Sequence, residues 1–274
     1  MNLFWWKEKR LRTVWRVEKD GKASLIVGTA HFSHYRFKKA LTKLIQNAEM
    51  IVFEGPLDQD SMAKVVEYGR QGKNSPSVYE ALDPAAIKEI NRQLGTRLQT
   101  STTAGKYLDL IHPKVSDFLE EYTQGVRPWM AFFTVWSALL DWKYSMDEEA
   151  FHIAQALGKK IRFLETIEDQ LAALDGIPFE RIVNYLNHIG YWKKYKGSFL
   201  KSFLAGDIKK FAMMMGEFPT RCESIIMKRD PIFFRRIKAT FKEAKTTAFI
   251  GVIHIPGVRT SFLDEGYQVI QEEV

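Results

Sequence analysis

Four short apolar runs, separated by longer segments with helical periodicity, constrain the fold of this chain more than any other feature. The runs are residues 24–27, 50–53, 160–164 and 247–250. Apolar runs of four or five residues are typical of buried strands, since helices need ten or more. Strands that alternate with helices pair in parallel. The sequence therefore predicts an α/β fold with a mostly parallel central sheet flanked by helices.

The helical segments predict how the rest of the chain is organised. Residues 37–48 fit a crossover helix, and residues 116–122, 129–142 and 147–157 also have helical character. Almost all of residues 179–245 is typical of helix, which predicts a large helical layer from the middle and late chain. With 46% hydrophobic residues, the chain can bury a sizeable core. We expect one domain over residues 1–274.

Each predicted strand is followed by a side chain that can bind a metal or move a proton. These side chains are His31, Glu54, Glu165 and His254. In open parallel sheets, ligands bind at the carboxyl ends of the strands. We therefore expect a functional site built from these four side chains at one edge of the sheet.

The first and last runs share a pattern of apolar residues, glycine, two residues and histidine. Gly28 precedes His31, and Gly251 precedes His254. Glycine lets a backbone turn sharply and approach a neighbouring group closely. The match predicts a pseudo-repeat that places two imidazoles near one another. Glu54 follows a fully apolar strand, so its carboxylate needs a metal or another cation as a partner.

The composition bears on compartment and membrane contact. A single cysteine, Cys222, excludes an internal disulfide and suits a reducing compartment. We expect a cytoplasmic protein without a signal peptide, because the N-terminus becomes strongly charged after six residues. Residues 130–140 are about half the length that a membrane-spanning helix needs and predict a buried helix. An alternative role is peripheral membrane contact through the cluster of Leu3, Phe4, Trp5 and Trp6.

The charge pattern does not favour nucleic acid as a partner. The net charge is +7, but 40 basic residues are interleaved with 33 acidic ones. Nucleic-acid binding stays a minor alternative, since no recognition motif is present. The zinc-protease, Cys-x-x-Cys, nucleophile-elbow and phosphate-loop signatures are absent as well. Any metal ligands must therefore come from distant parts of the chain.

Several short segments, in this order and spacing, resemble the TraB/PrgY/GumN family, which is related to the Tiki metalloproteases. They include Gly28-Thr29-Ala30-His31, Ile51-Val52-Phe53-Glu54, Met146-Asp147, Leu164-Glu165-Thr166, Arg229-Asp230 and Gly251-Val252-Ile253-His254. Two positions depart from the family pattern. Ser145 stands where glycine usually precedes the Met-Asp pair, and Asp230 stands where asparagine usually follows the arginine.

The resemblance implies a metal-dependent peptidase that acts on a peptide or small protein. By analogy with the Tiki relatives, His31, His254 and Glu54 would hold a divalent ion of the Mn, Co or Zn type. Glu54 would serve as a ligand or as the base that takes a proton from bound water. Bacterial relatives include proteins that shut down a peptide pheromone signal. Wider relatives include erythromycin-esterase-like and haem-iron-binding proteins, so the family alone does not fix the reaction.

Three further residues receive roles in this hypothesis. Glu165 would orient a histidine. Arg229 would bind a substrate carboxylate or a developing oxyanion, with a salt bridge on a helix surface as the alternative. Asp147 is a supporting residue within the shared pattern. The main rival is a protein that captures a peptide, or an iron- or haem-bearing ligand, in the same cleft without cleaving it.

Overall fold

A six-stranded sheet lies at the centre of the computed structural model, which describes residues 9–101, 117–140, 142–214 and 216–274. The strands are β1 (Val14–Lys19), β2 (Lys22–Thr29), β3 (Met50–Phe53), β4 (Lys160–Phe163), β5 (Thr246–Gly251) and β6 (Gln268–Glu272). Their order across the sheet is β4-β3-β5-β2-β1-β6. Because β2, β5, β3 and β4 pair in parallel, the predicted α/β class and mostly parallel sheet are confirmed.

Two strands at one side of the sheet were not predicted. β1 pairs antiparallel with β2, and β6 pairs antiparallel with β1. The β1–β2 hairpin turns at Asp20 and Gly21, whose φ angles are +52° and +73°. Two consecutive residues with positive φ are typical of the tight hairpin turns that Asp-Gly favours. The four predicted strands therefore form only the parallel part of a mixed sheet.

The third predicted strand is not a buried one. β4 is an edge strand with a single neighbour, β3, and its side chains are half-buried or exposed. The inner strands β3 and β5 are buried along their whole length, because each lies between two others. The prediction that all four apolar runs are buried was wrong for β4, since strand order depends on tertiary pairing.

Helices account for most of the remaining chain. In chain order they are α1 (Lys38–Gln46), α2 (Gln59–Gly69), α3 (Val78–Ala81), α4 (Pro84–Ser101), α5 (Phe118–Thr123), α6 (Pro128–Leu140), α7 (Met146–Ala156), α8 (Ile167–Asp175), α9 (Phe179–Asn187), α10 (Trp192–Ala205), α11 (Ile208–Met214), α12 (Asp230–Glu243) and α13 (Ile255–Asp264). A 3-10 turn (Ile189–Tyr191) and a π turn (Glu223–Met227) interrupt the late helices. The predicted crossover helix and helical layer are both present.

Three helices begin beside the strand ends, which places polar side chains there. Ser145 caps α7 by accepting a hydrogen bond from the amide of Glu148 at 3.3 Å, so Asp147 falls in the first turn. Arg229 stands at the N-cap of α12, and His254 stands at the N-cap of α13. The departure from glycine at Ser145 thus leaves a capped helix start.

One cluster of buried apolar side chains joins the sheet to the helical layers. The apolar run at residues 130–140 lies in α6, where Ala131, Phe132 and Val135 are fully buried, as predicted. Within the described ranges, no helix combines the length and the apolar character needed to cross a bilayer. The cluster of Leu3, Phe4, Trp5 and Trp6 lies outside the described residues.

Candidate functional site

The carboxyl ends of the four parallel strands bring the predicted side chains together. His31, Glu54, Glu165 and His254 follow β2, β3, β4 and β5 at one edge of the sheet. Oε1 of Glu54 lies 3.7 Å from Nε2 of His254. The side chains of Glu54, Glu165 and His254 are buried, whereas 53% of the His31 side chain is exposed. The cluster therefore opens toward solvent on the His31 side.

Gly251 forms the floor of this cluster. Its amide donates a hydrogen bond of 2.5 Å to Oε1 of Glu54. A Cβ atom at this position would lie 3.1 Å from Oε1 of Glu54, 3.3 Å from Nε2 of His31 and 3.6 Å from the His254 ring. These atoms thus surround a space that any side chain at Gly251 would fill. The structure therefore has the close approach of the Gly251 backbone to a histidine that the sequence predicts.

His254 is held by a carboxylate that follows Arg229 in the chain. Its Nδ1 atom lies 2.6 Å from Oδ1 of Asp230. Its ring packs at 4.9 Å from the ring of Phe233, and the side chain is 1% exposed. With Nδ1 bound to a carboxylate, the ring presents Nε2 to Glu54. Asp230 therefore fixes which nitrogen of His254 faces the cluster.

His31 is held in a matching way from the other side. Its Nδ1 atom lies 2.8 Å from Oδ2 of Asp147, and Oδ1 of Asp147 accepts a 2.6 Å hydrogen bond from the hydroxyl of Thr29. The negative charge of Asp147 raises the pKa of His31 to about 9 and outweighs the partial desolvation of the ring, which lowers it. Both Gly-x-x-His histidines thus contact an aspartate through Nδ1, while Nε2 of His31 faces Gly251 and Nε2 of His254 faces Glu54.

Arg229 enters the centre of the cluster. Its Nε atom donates to Oε2 of Glu165 at 2.9 Å, and its Nη2 atom binds Oε1 of Glu165 and also lies 2.9 Å from Oε2 of Glu54. Its Nη1 atom is 3.3 Å from Nε2 of His254. With only 12% of its side chain exposed, Arg229 is the cation that both buried carboxylates share.

The surrounding charges and burial give the two buried carboxylates, Glu54 and Glu165, different pKa values. Burial raises the pKa of Glu54, but the charges of His254, Arg229 and His31 outweigh it and lower that pKa to about 2. Burial also raises the pKa of Glu165, and there it outweighs the lowering effect of Arg229. Glu54 is therefore fully ionised at neutral pH, while Glu165 has the higher proton affinity.

Two predicted roles differ from the observed contacts. Glu165 was expected to orient a histidine, but its carboxylate binds Arg229, and the two aspartates hold the histidines. The salt bridge of Arg229, considered as one on a helix surface, is instead a buried one to Glu165 and Glu54, and the substrate-binding role of Arg229 stays a prediction. Sequence spacing could not show that a residue at a helix start reaches the strand ends.

Gly28 does not line the cluster. It lies within β2, and a Cβ atom there would be 3.1 Å from the Ile255 side chain and 3.3 Å from that of Trp15. Its role is close packing between the sheet and α13. The two glycines of the repeated pattern therefore serve different purposes, and only Gly251 borders the histidines.

Three residues that support the site were not predicted as part of it. Asp230 and Thr29 bind His254 and Asp147, as described above. Gly257 makes room for Asp230, because a Cβ atom at Gly257 would overlap its carboxylate. All three stand within four residues of a predicted site residue, so proximity in sequence was the available signal. Whether such a neighbour points into the site depends on where the adjacent strand ends or helix begins, which proximity in sequence does not show.

The side-chain nitrogen and oxygen atoms of this cluster are of the kinds that bind a divalent cation. Imidazole nitrogen and carboxylate oxygen are ligands typical of Zn²⁺ and similar ions, and carboxylates commonly hold such histidines through the other nitrogen. His31, His254 and Glu54 surround the space beside Gly251. Within the described ranges, however, no three His, Cys, Asp or Glu side chains are placed to hold one ion as they stand. The guanidinium of Arg229 lies among them instead.

Comparison with known proteins agrees with this arrangement of motifs. The model of the TraB/PrgY/gumN family matches residues 13–271 of the 274-residue chain. The matched range includes both Gly-x-x-His motifs, Glu54, Glu165 and Arg229. No curated protein matches the chain. Because the match covers almost the whole length, the chain belongs to the TraB/PrgY/gumN family.

Proposed function

We propose that this chain is a metal-dependent hydrolase that cleaves a peptide bond in a small peptide or protein. The observation that carries the proposal is the matched pair of histidines, each bound to an aspartate through Nδ1 at 2.8 and 2.6 Å. Such pairing directs Nε2 of each ring to act as a ligand and is typical of metal-binding histidines. Because the pKa of His31 is about 9, this ring gives up a proton when it binds an ion. His31, His254 and Glu54 are the residues that would hold the ion.

When bound, a divalent ion lowers the pKa of a water ligand toward about 7 and polarises the substrate carbonyl. The chain supplies the rest. Asp147 and Asp230 keep the two rings oriented. Glu54, whose pKa is about 2, stays an anion and favours the ligand role over that of a base. The open side at His31 gives a substrate access to the cluster.

Arg229 has two functions in this proposal. It counters the negative charges of Glu165 and Glu54, which both accept hydrogen bonds from its Nη2 atom. Its Nη1 atom lies 3.3 Å from Nε2 of His254 and would become available to a carbonyl oxygen that gains negative charge once that nitrogen holds an ion. Since this guanidinium now lies among the candidate ligands, loading of a divalent ion requires Arg229 to move away from Glu54.

One observation favours the second candidate function, capture of a peptide or an iron-bearing ligand without cleavage. The charge of Arg229 already compensates Glu54, and the low pKa of Glu54 makes this carboxylate a weak base. A cleft with these properties binds a ligand without activating water. In that case Glu54→Gln keeps ligand binding, whereas a hydrolase loses its activity.

The deciding experiment measures metal content and peptide-library cleavage on the same purified samples. Wild type is compared with His31→Ala and with the control His152→Ala, an exposed histidine on α7, the helix that carries Asp147. We expect wild type and the control to bind about one ion per chain and to cleave, and His31→Ala to lose both properties. Metal without cleavage supports the capture function. Absence of metal under every loading condition overturns the metal-dependent proposal.

A further inference from the structure

A cleft of about 370 Å³ lies at the other end of the sheet from the histidines. It is lined by lysines of the β1–β2 hairpin, Lys19 and Lys22, and of α12, Lys238 and Lys242. β2 runs from Lys22 to Thr29, so the cleft and the His31 end are separated by the length of a strand, roughly 20 Å. The cleft is therefore a separate place on the molecule.

Two of the four lysines are held in position by Glu265. Nζ of Lys238 lies 2.6 and 2.8 Å from the two carboxylate oxygens of Glu265. Nζ of Lys19 donates to the main-chain oxygen of Glu265 at 2.7 Å and lies 4.9 Å from the ring centre of Tyr267. Both ammonium groups are thus ordered before a ligand arrives, which reduces the entropy lost on binding.

The other two lysines give the cleft its excess charge. In the part of the chain that the structure describes, Lys22 and Lys242 have no ion-pair partner. The lining carries four lysines against the two carboxylates of Asp20 and Glu265. Buried Val17 and Phe241 form an apolar floor beneath these charges. The cleft therefore suits a compact ligand with two or more negative charges.

We propose that this cleft binds the phosphate groups of a small ligand. Lysine ammonium groups are common phosphate partners, and they act as point charges that tolerate several phosphate geometries. The volume lies within the range of small-molecule sites. The same chemistry is offered by a soluble polyphosphate or nucleotide and by a phosphorylated lipid headgroup. Binding here does not depend on the proposed hydrolysis at the histidines.

The test is calorimetric titration of inorganic tripolyphosphate at about 150 mM salt, where exposed charges are largely screened. The variant is Lys22→Glu with Lys242→Glu, two exposed positions. The control is Lys64→Glu with Lys88→Glu, exposed lysines on α2 and α4, which change the net charge by the same amount. We expect wild type and the control to bind equally, and the cleft variant to bind at least about tenfold more weakly.

A second arm identifies the source of the phosphate. Vesicles containing a phosphoinositide are sedimented with the wild type and with the cleft variant. Sedimentation that the cleft variant loses assigns the site to a lipid headgroup, whereas tripolyphosphate binding alone assigns it to a soluble ligand. The proposal is overturned if the wild type binds neither probe. It is equally overturned if the control double variant weakens binding as much as the cleft variant does.

Discussion

Nδ1 of His254 lies 2.6 Å from Oδ1 of Asp230, and this contact fixes the nitrogen that the ring presents to Glu54. The matching contact between His31 and Asp147 measures 2.8 Å. The two histidines thus depend on carboxylates from different helices, α12 and α7. Their orientation can therefore be changed one ring at a time.

Replacement of Asp230 tests the orientation of His254. We expect Asp230→Ala to lower metal affinity by about 10- to 100-fold, because the ring loses the acceptor that orders it. Asp230→Asn keeps an oxygen that can accept from Nδ1, so we expect it to retain most of the affinity. The measurement is competitive metal titration with a chromophoric chelator. Equal affinities for Asp230→Ala and wild type would contradict this role of Asp230.

Gly251→Ala tests whether the space beside this glycine is the working centre. The added methyl group would lie 3.1 Å from Oε1 of Glu54 and 3.3 Å from Nε2 of His31, closer than ordinary contacts. We expect metal binding and cleavage to fall at least about tenfold, with a small change in melting temperature. The matched control is Gly197→Ala in α10, where a methyl group meets open space. A fully active Gly251→Ala protein would rule out this centre.

Arg229→Ala tests the buried charge balance. Without the guanidinium, the carboxylates of Glu54 and Glu165 lose their shared counter-charge, and we expect the free energy of unfolding to fall by about 3–5 kcal/mol. Urea unfolding measures the effect. The control is Arg92→Ala, which breaks an exposed pair with Glu89 and should change the free energy of unfolding far less. Equal losses in the two variants would contradict a stabilising role for Arg229.

Asp117 provides a prediction about pH. Burial raises its pKa, but hydrogen bonds from Tyr79, Asn91 and the Glu120 amide outweigh it and hold that pKa below its usual value. A carboxyl whose pKa is lower in the folded state stabilises the protein above its unfolded pKa. That stabilisation is lost as the pH falls through the folded-state pKa.

Because Asp117 also caps α5, we expect Asp117→Asn to be less stable than wild type at pH 7, by about 1 kcal/mol or less, since asparagine also caps helices. The difference should shrink as the pH falls below the ordinary aspartate pKa of about 3.9 and on through the lowered pKa of the folded-state carboxyl. Urea unfolding of both proteins across this pH range measures it. A difference that stays constant with pH would contradict the lowered pKa.

The parallel strands and their polar ends could be predicted from sequence, because apolar runs of four or five residues and the residues after them are local features. β1 was predictable in principle, since Asp20-Gly21 is a strong hairpin signal beside the alternating segment from Val14 to Lys19. β6 carries a weaker pattern, and its place depends on pairing with β1. The edge position of β4 likewise follows from strand order, which no local pattern encodes.

As with the fold, the sequence could predict part of the candidate site, namely the side chains that follow the parallel strands. His31, Glu54, Glu165 and His254 are strand-end residues, so their common edge follows from parallel pairing. The contacts of Arg229 are different, because they join the start of α12 to the ends of β3 and β4, two segments more than 60 residues away in sequence. Such contacts arise from tertiary packing, and residue spacing within one helix does not reveal them.

The direct pairing of β2 with β5 bears on how proteins of this kind can diversify. Gly28 lies opposite Ile250 and Thr29 lies opposite Gly251. The two histidines follow the ends of these strands, so the hydrogen bonds between β2 and β5 set the distance between them. Neighbouring strands keep a separation of about 4.8 Å whatever the connecting segments contain. The helices and turns around the open side can therefore accumulate substitutions while the imidazole pair keeps its geometry. Under the proposed function, substrate choice can then change during evolution while the histidine pair is retained.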